Sequence, residues 1–274
     1  MTATSPAALT PLTRTDLQPR PAGLLRDIAT VAGRALRAIP REVETVLPAI
    51  FIAIFFYLVN IATLEQVTES IPGFDYPAFS LPTAVLLGVT GVTRAYAFVL
   101  DIQSGYFDRL LVTPIRRLAI LLGQMSADLA VGAVLAIPII ILGFIVGVRF
   151  EAGPLGVVVF IAIAALWCLA YAGFAYAIAL KTGNPAAVNT SFLLFFPFLF
   201  LTTSYVPREA LSGWLDTVAG FNPVTYILEG QRSLIFDGWQ WDELGKALLA
   251  IGIVGAVSMF LCFSAMRGRI TKGG

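Results

Sequence analysis

The chain has 274 residues, of which 58% are hydrophobic and only 13% are charged, with a net charge of +1. Soluble domains carry about 25% charged residues, so this composition excludes an ordinary soluble fold and predicts an integral membrane protein. The chain contains no histidine, which excludes Ser-His triads and histidine-ligated metals. We therefore expect neither a catalytic residue nor a metal site in this chain.

Residues 1–44 form a polar segment rich in Pro, Thr, Ser, Ala and Arg. This segment has no apolar h-region, so no cleavable signal peptide is expected. An apolar stripe repeats within it at helical spacing, formed by Leu24, Ile28, Val31, Ala35 and Ile39. The stripe predicts an amphipathic helix that lies in the membrane interface. The alternative is a solvated extension of the first span.

Six runs are long and apolar enough to cross a bilayer as helices. They cover residues 45–64, 76–100, 129–148, 152–180, 182–207 and 247–266. The predicted fold is therefore all-α, with a six-span domain over residues 45–266 and a short tail over residues 267–274. The two cysteines, Cys168 and Cys262, lie inside these runs and are expected to pack as small hydrophobic side chains.

The basic residues are concentrated in alternate connecting segments. They are frequent before the first span, after the second span and in the C-terminal tail. The loop after the first span instead carries only acids, at Glu65, Glu69 and Asp75. By the positive-inside rule, both termini and the loop after the second span are predicted to be cytoplasmic.

Arg94 is the only ionisable residue inside the predicted spans. We expect it to snorkel toward the cytoplasm or to form a structural pair. Proton-driven carriers use an intramembrane carboxylate as a relay, and the predicted spans contain none. The sequence also lacks a Gly-rich phosphate loop that ends in Gly-Lys-Ser/Thr. Uphill transport by this chain would therefore take its energy from a partner.

A charged segment, DIQSGYFDRLLVTPIRR, follows the second span at residues 101–117. Ile102, Tyr106 and Leu110 repeat every four residues, which predicts a short amphipathic helix over residues 101–112. Asp101 suits the N-cap, and Pro114 ends the helix because the residue before proline avoids the helical region. The predicted helix presents aromatic and charged side chains to a cytoplasmic partner. The alternative is a loop helix that only packs on the bilayer.

Two more short helices are predicted before the last span. Leu211, Trp214, Leu215 and Val218 have helical spacing. A second helix has Asn222 as its cap and Pro223 at its first position, and Gly238 follows its end. Its buried face is predicted to contain Val224, Ile227, Leu228 and Leu234. Each helix is too short to cross a bilayer, so both are expected to be re-entrant or to lie at the outer surface; the alternative is a simple tie between two spans.

Three blocks resemble type-2 ABC exporter permeases of the daunorubicin-resistance group. In LDIQSGYFDRLLVTPIRRLAILLG the matching residues are Asp101, Gly105, Phe107, Asp108, Arg109 and Pro114. Gln103 stands where many members of the wider family carry glutamate. KTGNPAAVN (181–189) is similar to a second block, and VPREALSGWLDTVAGFNPVTYILEGQRSL (206–234) to a third. In the third block the matching residues are Trp214, Leu215, Asn222, Pro223, Thr225 and Arg232, and Leu211-Ser212 replaces the usual Leu-Pro.

The resemblance implies that the charged loop is a coupling helix held by a separate ATPase. The implied coupling residues are Asp101, Gly105, Tyr106, Phe107, Asp108, Arg109 and Pro114. It also implies two ATPase subunits that bind ATP and Mg, with no cofactor in this chain. The permease would pair with itself or with a sister permease in a bacterial plasma membrane, in contact with lipid and without nucleic acid. The two short helices would cap the exit of the export path.

In related exporters the central cavity lies between spans one, two and five of both protomers. The implied substrate-path residues here are Phe51, Phe55, Asn60, Phe195, Phe196 and Thr202. An aromatic cavity suits an amphipathic drug-like or lipid-like cargo; ordinary lipid-facing packing is the alternative for any single phenylalanine. Other functions left open are export of a polysaccharide or glycolipid, an ATP-independent channel or flippase, and a membrane assembly or signalling factor.

Overall fold

The computed structural model describes residues 23–38, 43–68, 74–106, 109 and 117–272. Regular secondary structure within these ranges is entirely helical. The α-helices are α1 (Leu24–Ala38), α2 (Val43–Thr68), α3 (Tyr76–Thr90), α4 (Ala95–Gln103), α5 (Arg117–Val146), α6 (Gly153–Thr182), α7 (Pro185–Phe200), α8 (Trp214–Phe221), α9 (Pro223–Phe236) and α10 (Trp241–Lys272). A 3₁₀ turn covers Arg208–Ala210. The predicted all-α class is confirmed.

Five helical segments in the described part of the chain are long and apolar enough to cross a membrane. They are Val46–Leu64, Tyr76–Gln103, Ala119–Val146, Gly153–Thr182 and Trp241–Gly268. Each of the five overlaps one of the predicted spans. The second segment joins α3 and α4, and the others lie within α2, α5, α6 and α10.

The fifth predicted span, over residues 182–207, is only partly helical. α7 ends at Phe200 after 16 residues, which corresponds to about 24 Å at 1.5 Å per residue. Beyond it, the Thr202 and Ser204 hydroxyls both donate to Leu199 O at 2.7 Å. These side chains compete with backbone N–H groups for a helical carbonyl, which ends the helix.

The second predicted span is not one continuous helix. α3 ends at Thr90, α4 begins at Ala95, and residues 91–94 break the helix between them. Gly91 is at the C-terminal end of α3, where an added Cβ would lie 3.3 Å from Ala49 Cβ of α2. An alanine at this position would therefore need α2 or α3 to shift by a few tenths of an ångström.

The third span begins earlier than the sequence pattern indicated. The charge-free run starts at Leu129, but α5 begins at Arg117 and its apolar part at Ala119. Asp128 therefore lies inside the span and is 0% exposed. The prediction that Arg94 is the only ionisable residue within the spans is therefore wrong. The helix can include Asp128 because both carboxyl oxygens of this residue accept hydrogen bonds inside the protein.

α6 is the central helix of the bundle and packs against α3, α4, α5, α7 and α10. Phe160, Trp167 and Tyr176 on this helix are almost fully buried. Cys168 and Cys262 are free and buried, as their apolar surroundings predicted. A mixed aromatic and small-residue core of this kind holds helices together by close contact, since lipid provides no hydrophobic driving force between them.

The amphipathic helix α1 packs on the first turns of α5. Val31 and Ala35, from the predicted apolar stripe, are buried. Gly123 of α5 lies under Val31, where an added Cβ would be 2.6 Å from Val31 Cβ. The apolar stripe of α1 therefore contacts protein, through Val31 and Ala35.

Two glycines on neighbouring helices provide a matched test of this packing. A Cβ at Gly173 of α6 would lie 2.8 Å from Ser258 Cβ of α10, whereas nothing lies within 4 Å of the equivalent point at Gly252. We expect Gly173→Ala to destabilise the protein by about 1–3 kcal/mol because the helices must separate. Gly252→Ala is expected to be neutral or stabilising by about 0.5–1 kcal/mol. Thermal unfolding of both variants in detergent measures the difference, and equal stabilities would contradict this account of the contact.

Candidate functional site

The predicted coupling loop begins where α4 ends. Ser104 N–H donates to Leu100 O at 2.9 Å, and Gly105 has a φ of +70°, a left-handed conformation that ends helices. The backbone then turns again, and Arg109 N–H donates to Gly105 O at 3.2 Å. The prediction of one helix from Asp101 to residue 112 is therefore wrong. Asp101 lies in the last turn of α4 and is therefore not an N-cap. The helix that begins at Ala95 continues through Asp101 and ends just before Gly105, whose left-handed conformation stops it.

Asp101 is held by two other helices. Arg34 Nη2 of α1 contacts Asp101 Oδ2 at 2.6 Å, and Gln124 Nε2 of α5 donates to the same oxygen at 3.3 Å. The Arg34 guanidinium also lies 4.3 Å from the centre of the Tyr106 ring, a cation–π contact. α1 therefore fixes the position of the chain on both sides of Gly105.

The structure describes part of the rest of the charged segment. Gln103 Nε2 donates to Gly183 O at 2.9 Å, at the end of α6. Arg109 is exposed. Phe107, Asp108 and Pro114 lie outside the described residues. In the described part of the loop, the Arg109 cation is thus exposed. It follows residues that are held by contacts among α1, α4, α5 and α6.

A cavity of about 460 Å³ lies between α2, α3, α4 and α7. Its wall includes hydroxyl, amide and aromatic side chains, among them Thr90, Thr93, Tyr96, Asn189 and Phe192. Pockets of about 300–1,000 Å³ with an apolar wall and a few polar groups accommodate small organic ligands. The cavity adjoins the 91–94 break, and Gly91 and Thr93 of the break form part of its wall.

The predicted substrate-path residues do not form one group. Asn60 and Phe196 line a separate small cavity of about 20 Å³. Phe51 and Phe55 are exposed and stack at 6.2 Å between ring centres. Phe195 is buried against Trp167 and Tyr171, and Thr202 is buried beside Ser204. The larger cavity is lined by different residues of the same helices, including Pro48, Ile52 and Phe192.

The second of the two helices before the last span, α9, has the predicted cap. Asn222 is the N-cap of α9, and its Oδ1 accepts from Val224 N–H at 3.0 Å, with Pro223 in the first turn. Asn222 Nδ2 also donates to Phe198 O at 2.7 Å and to Leu201 O at 2.9 Å. This side chain therefore satisfies carbonyls freed at the end of α7 while it starts α9.

The predicted buried face of α9 is confirmed. Val224, Thr225, Ile227, Leu228 and Leu234 of α9 are fully buried. In α8 the buried residue is Ala219, whereas Trp214 is 69% exposed. α8 packs on the protein with one face, and the Trp214 ring lies on its exposed face. Such exposure is typical of aromatic residues at a membrane interface.

Arg232 joins α9 to α3 and to the segment after α7. Its Nε donates to Phe79 O at 3.0 Å, Nη1 to Thr203 Oγ1 at 3.0 Å and Nη2 to Thr203 O at 2.8 Å. The guanidinium also lies 3.6 Å from the centre of the Phe79 ring. A buried arginine with this many contacts fixes three segments relative to one another.

A polar cavity of about 400 Å³ adjoins Arg232. Its wall includes both signs of charge, with Arg208, Glu229, Asp237, Glu243 and Lys246. Burial raises the pKa of the Glu229 carboxyl above its usual value. The wall of this cavity therefore contains positive and negative side chains in equal number, whereas the wall of the larger cavity is mainly apolar.

The sequence matches the ABC-2 type transporter family over residues 26–236. This region covers the coupling loop, the larger cavity and the Arg232 contacts. The chain belongs to this family. It is the membrane-spanning permease subunit of an ABC transporter and a multi-pass protein of the bacterial plasma membrane, which confirms the family inferred from the sequence blocks.

Similar permeases come from two groups of bacteria. The daunorubicin resistance ABC transporter permease protein DrrB1 of Streptomyces coeruleorubidus is 27% identical over 210 residues, which are 76% of this chain and 73% of the relative. The probable doxorubicin resistance ABC transporter permease protein DrrC of Mycobacterium tuberculosis is 25% identical over 208 residues, 75% of each chain. Both relatives are thus named as permeases of ABC transporters that confer drug resistance.

The sequence patterns did not reveal the buried polar site at Asp128. Asp128 Oδ1 accepts from Arg94 N–H and Oδ2 accepts from Tyr176 OH, both at 2.8 Å. A search for charge-free runs stops at Asp128 and treats it as the end of a loop. The helical apolar pattern from Ala119 onward was the signal that could have identified it as an intramembrane acid.

Proposed function

We propose that this permease exports an amphipathic drug-like or lipid-like molecule from the cytoplasm or the inner leaflet. Two separate ATPase subunits, which bind ATP and Mg, drive the transport, and this chain holds no cofactor of its own. The observation that carries the proposal is the cavity between α2, α3, α4 and α7. The relatives named for daunorubicin and doxorubicin resistance support a drug-like cargo.

The wall of the cavity suits a molecule with both apolar and polar parts. Ile52, Leu87 and Phe192 offer apolar contact, while Thr90 and Asn189 offer hydrogen bonds. The cavity bears no formal charge on its lining residues, so it favours cargo whose charge is small or delocalised. A strongly anionic polysaccharide would find no cationic side chain among these residues.

A second permease, identical or related, is proposed to complete the transport path. α2 and α7, which line the cavity, also carry exposed apolar side chains. These include Leu47, Phe51, Phe55, Leu193, Leu194 and Phe198. Contact between such faces of two protomers would close the cavity from the side, in agreement with the arrangement that the family resemblance implies.

The proposed topology has six spans with both termini in the cytoplasm. Arg34 contacts Asp101, and Gln103 in the same turn of α4 donates to Gly183 O. These contacts support a common side for α1, the coupling loop and the end of α6. α7 and the residues after it form the proposed fifth span. Exposed Trp214, Phe221 and Trp241 support an outer interface position for α8 and α9, which we propose to be re-entrant helices at the exit.

Transport into vesicles tests the proposed cargo. We expect inside-out vesicles with the permease and its ATPase to accumulate daunorubicin when ATP is supplied. Asn189→Trp fills the cavity and is expected to reduce daunorubicin uptake by about tenfold, the effect of losing roughly 1.4 kcal/mol of binding. Thr190→Trp is the matched control, since Thr190 is also exposed on α7 but does not line the cavity.

Three outcomes would contradict parts of this proposal. Uptake without ATP would indicate a channel or flippase. Accumulation of a labelled glycolipid but not of daunorubicin would indicate a glycolipid exporter. Equal uptake by Asn189→Trp and Thr190→Trp, with wild-type ATPase activity in both, would exclude this cavity as the path of the drug.

A further inference from the structure

The break in the second span is held at both ends by α6. At the end of α3, Thr90 Oγ1 accepts from Trp167 Nε1 at 2.9 Å and donates to Leu86 O at 2.6 Å. At the start of α4, the link to α6 runs through Asp128 and Tyr176. The two helices on either side of the break are thus fixed separately to one central helix.

Asp128 acts as a cap for α4 from another helix. Arg94, the N-cap residue of α4, makes no side-chain capping bond, but its backbone N–H donates to Asp128 Oδ1. A carboxylate is favourable at a helix N-terminus, where backbone N–H groups are free and the helix dipole is positive. The second oxygen is satisfied by the Tyr176 hydroxyl, so a fully buried acid has a hydrogen bond on each side.

α4 connects this cap directly to the coupling loop. It is nine residues long, which corresponds to about 14 Å. Asp101 in its last turn is held by Arg34 and Gln124, and Gly105 follows it. Tyr96 near its start and Thr93 in the break line the cavity. One short rigid helix therefore has one end at the loop and the other end at the cavity wall.

We propose that Asp128 is a positioning residue that couples the loop to the cavity. It holds the start of α4 against α6, so that a push on the loop turns α4 about residues 91–94 and moves the cavity wall. Without this cap, the start of α4 moves relative to α6. A displacement of the loop then bends the chain at residues 91–94 and does not move the cavity wall. The proposal extends the proposed ATP-driven export, on which its coupling part rests.

Spin-label distances in the permease alone test the positioning. Leu100 on α4 and Val158 on α6 are exposed, so Leu100→Cys with Val158→Cys provides a label pair, while the buried Cys168 and Cys262 are shielded. In lipid nanodiscs we expect a narrow distance distribution in this labelled background. Asp128→Ala and Tyr176→Phe are expected to broaden it, whereas Asp128→Asn, which can still accept from Arg94 N–H, is expected to restore a narrow distribution.

Ser258→Ala is the matched control for a buried polar residue away from the break. Ser258 is fully buried and its Oγ donates to Ala170 O at 2.5 Å between α6 and α10. This variant is expected to keep the narrow distribution even if its unfolding temperature falls. Distributions in Asp128→Ala and Tyr176→Phe that match the labelled background would overturn the proposed cap.

The same label pair in the complex with the ATPase tests the coupling. Addition of ATP with vanadate is expected to shift the distance in the labelled background and in Ser258→Ala. The shift is expected to be lost in Asp128→Ala, although the complex assembles and basal ATP hydrolysis continues. A full shift in Asp128→Ala would overturn the coupling role. Failure of any ATPase to bind would instead contradict the proposed function, and the nanodisc distances would still decide whether Asp128 positions α4.

Discussion

A permease with Arg109→Glu is expected to insert into the membrane at the wild-type level and to lose ATP-driven transport. Arg109 is exposed one turn after Gly105, and exposed substitutions change folding stability by only about ±0.5 kcal/mol. At a docked interface the same reversal leaves two like charges desolvated and costs about 2–5 kcal/mol. We therefore expect a loss of transport of at least about thirtyfold, measured as daunorubicin uptake by inside-out vesicles.

Arg149→Glu is the control for this charge reversal. Arg149 is also an exposed arginine, but it follows the other end of α5. It is expected to leave transport unchanged. Wild-type transport by Arg109→Glu, or an equal loss in both variants, would remove the coupling role assigned to Arg109.

Arg232→Met is expected to destabilise the bundle by about 3–5 kcal/mol, because buried acceptors lose a charged donor. The variant leaves Phe79 O and Thr203 O without the hydrogen bonds that the guanidinium supplies. Met fills much of the same volume, so a lost cavity contributes little to the effect. Thermal unfolding in detergent measures the change. We also expect transport to fail, since α9 is no longer tied to α3.

Arg208→Met is the matched control at the same end of the protein. The Arg208 side chain is exposed and its Nε lies 3.6 Å from Asp216 Oδ1. Exposed ion pairs contribute about 0–1 kcal/mol, so this variant is expected to unfold near the wild-type temperature. Similar unfolding temperatures for Arg208→Met and Arg232→Met would show that the hydrogen bonds of Arg232 contribute little to stability.

The parts of the fold that local chemistry determines were predictable from the sequence. Asn222 followed by Pro223 specifies a helix start with little dependence on the rest of the chain, and α9 begins there. Its apolar residues repeat at helical spacing and are buried as predicted. The charged segment after the second span was located from its charge between apolar runs, and its motif indicated the family that the comparison shows.

The break in the second span and the role of Asp128 depend on contacts between distant residues. Nothing near Asp128 in sequence indicates that it meets Arg94 N–H and Tyr176 OH, which lie 34 and 48 residues away along the chain. Similarly, Asp101 suits an N-cap by residue type, but its actual contacts are with Arg34 and Gln124. Hydrophobicity marks where a helix crosses the membrane, but it does not show where that helix breaks.

The cavity residues were predicted less well than the helices that carry them. After Ser191, α7 is apolar on all sides, so this part of its sequence has no periodicity that separates a cavity face from a core face. Phe195 turns into the core against Trp167, whereas Phe192, one turn earlier, lines the cavity. Contacts with neighbouring helices, and not the residue type, determine which phenylalanine lines the cavity.

The proposed function requires an ATPase that binds the coupling loop and powers the permease. The most direct measurement is gentle detergent purification of the tagged permease from its native membrane, with the bound proteins identified by mass spectrometry. We expect a soluble ATPase with a Gly-rich phosphate loop to co-purify with the wild type and Arg149→Glu, and to be lost from Arg109→Glu. A stable permease that carries no ATPase, or one that keeps it in Arg109→Glu, would contradict the account.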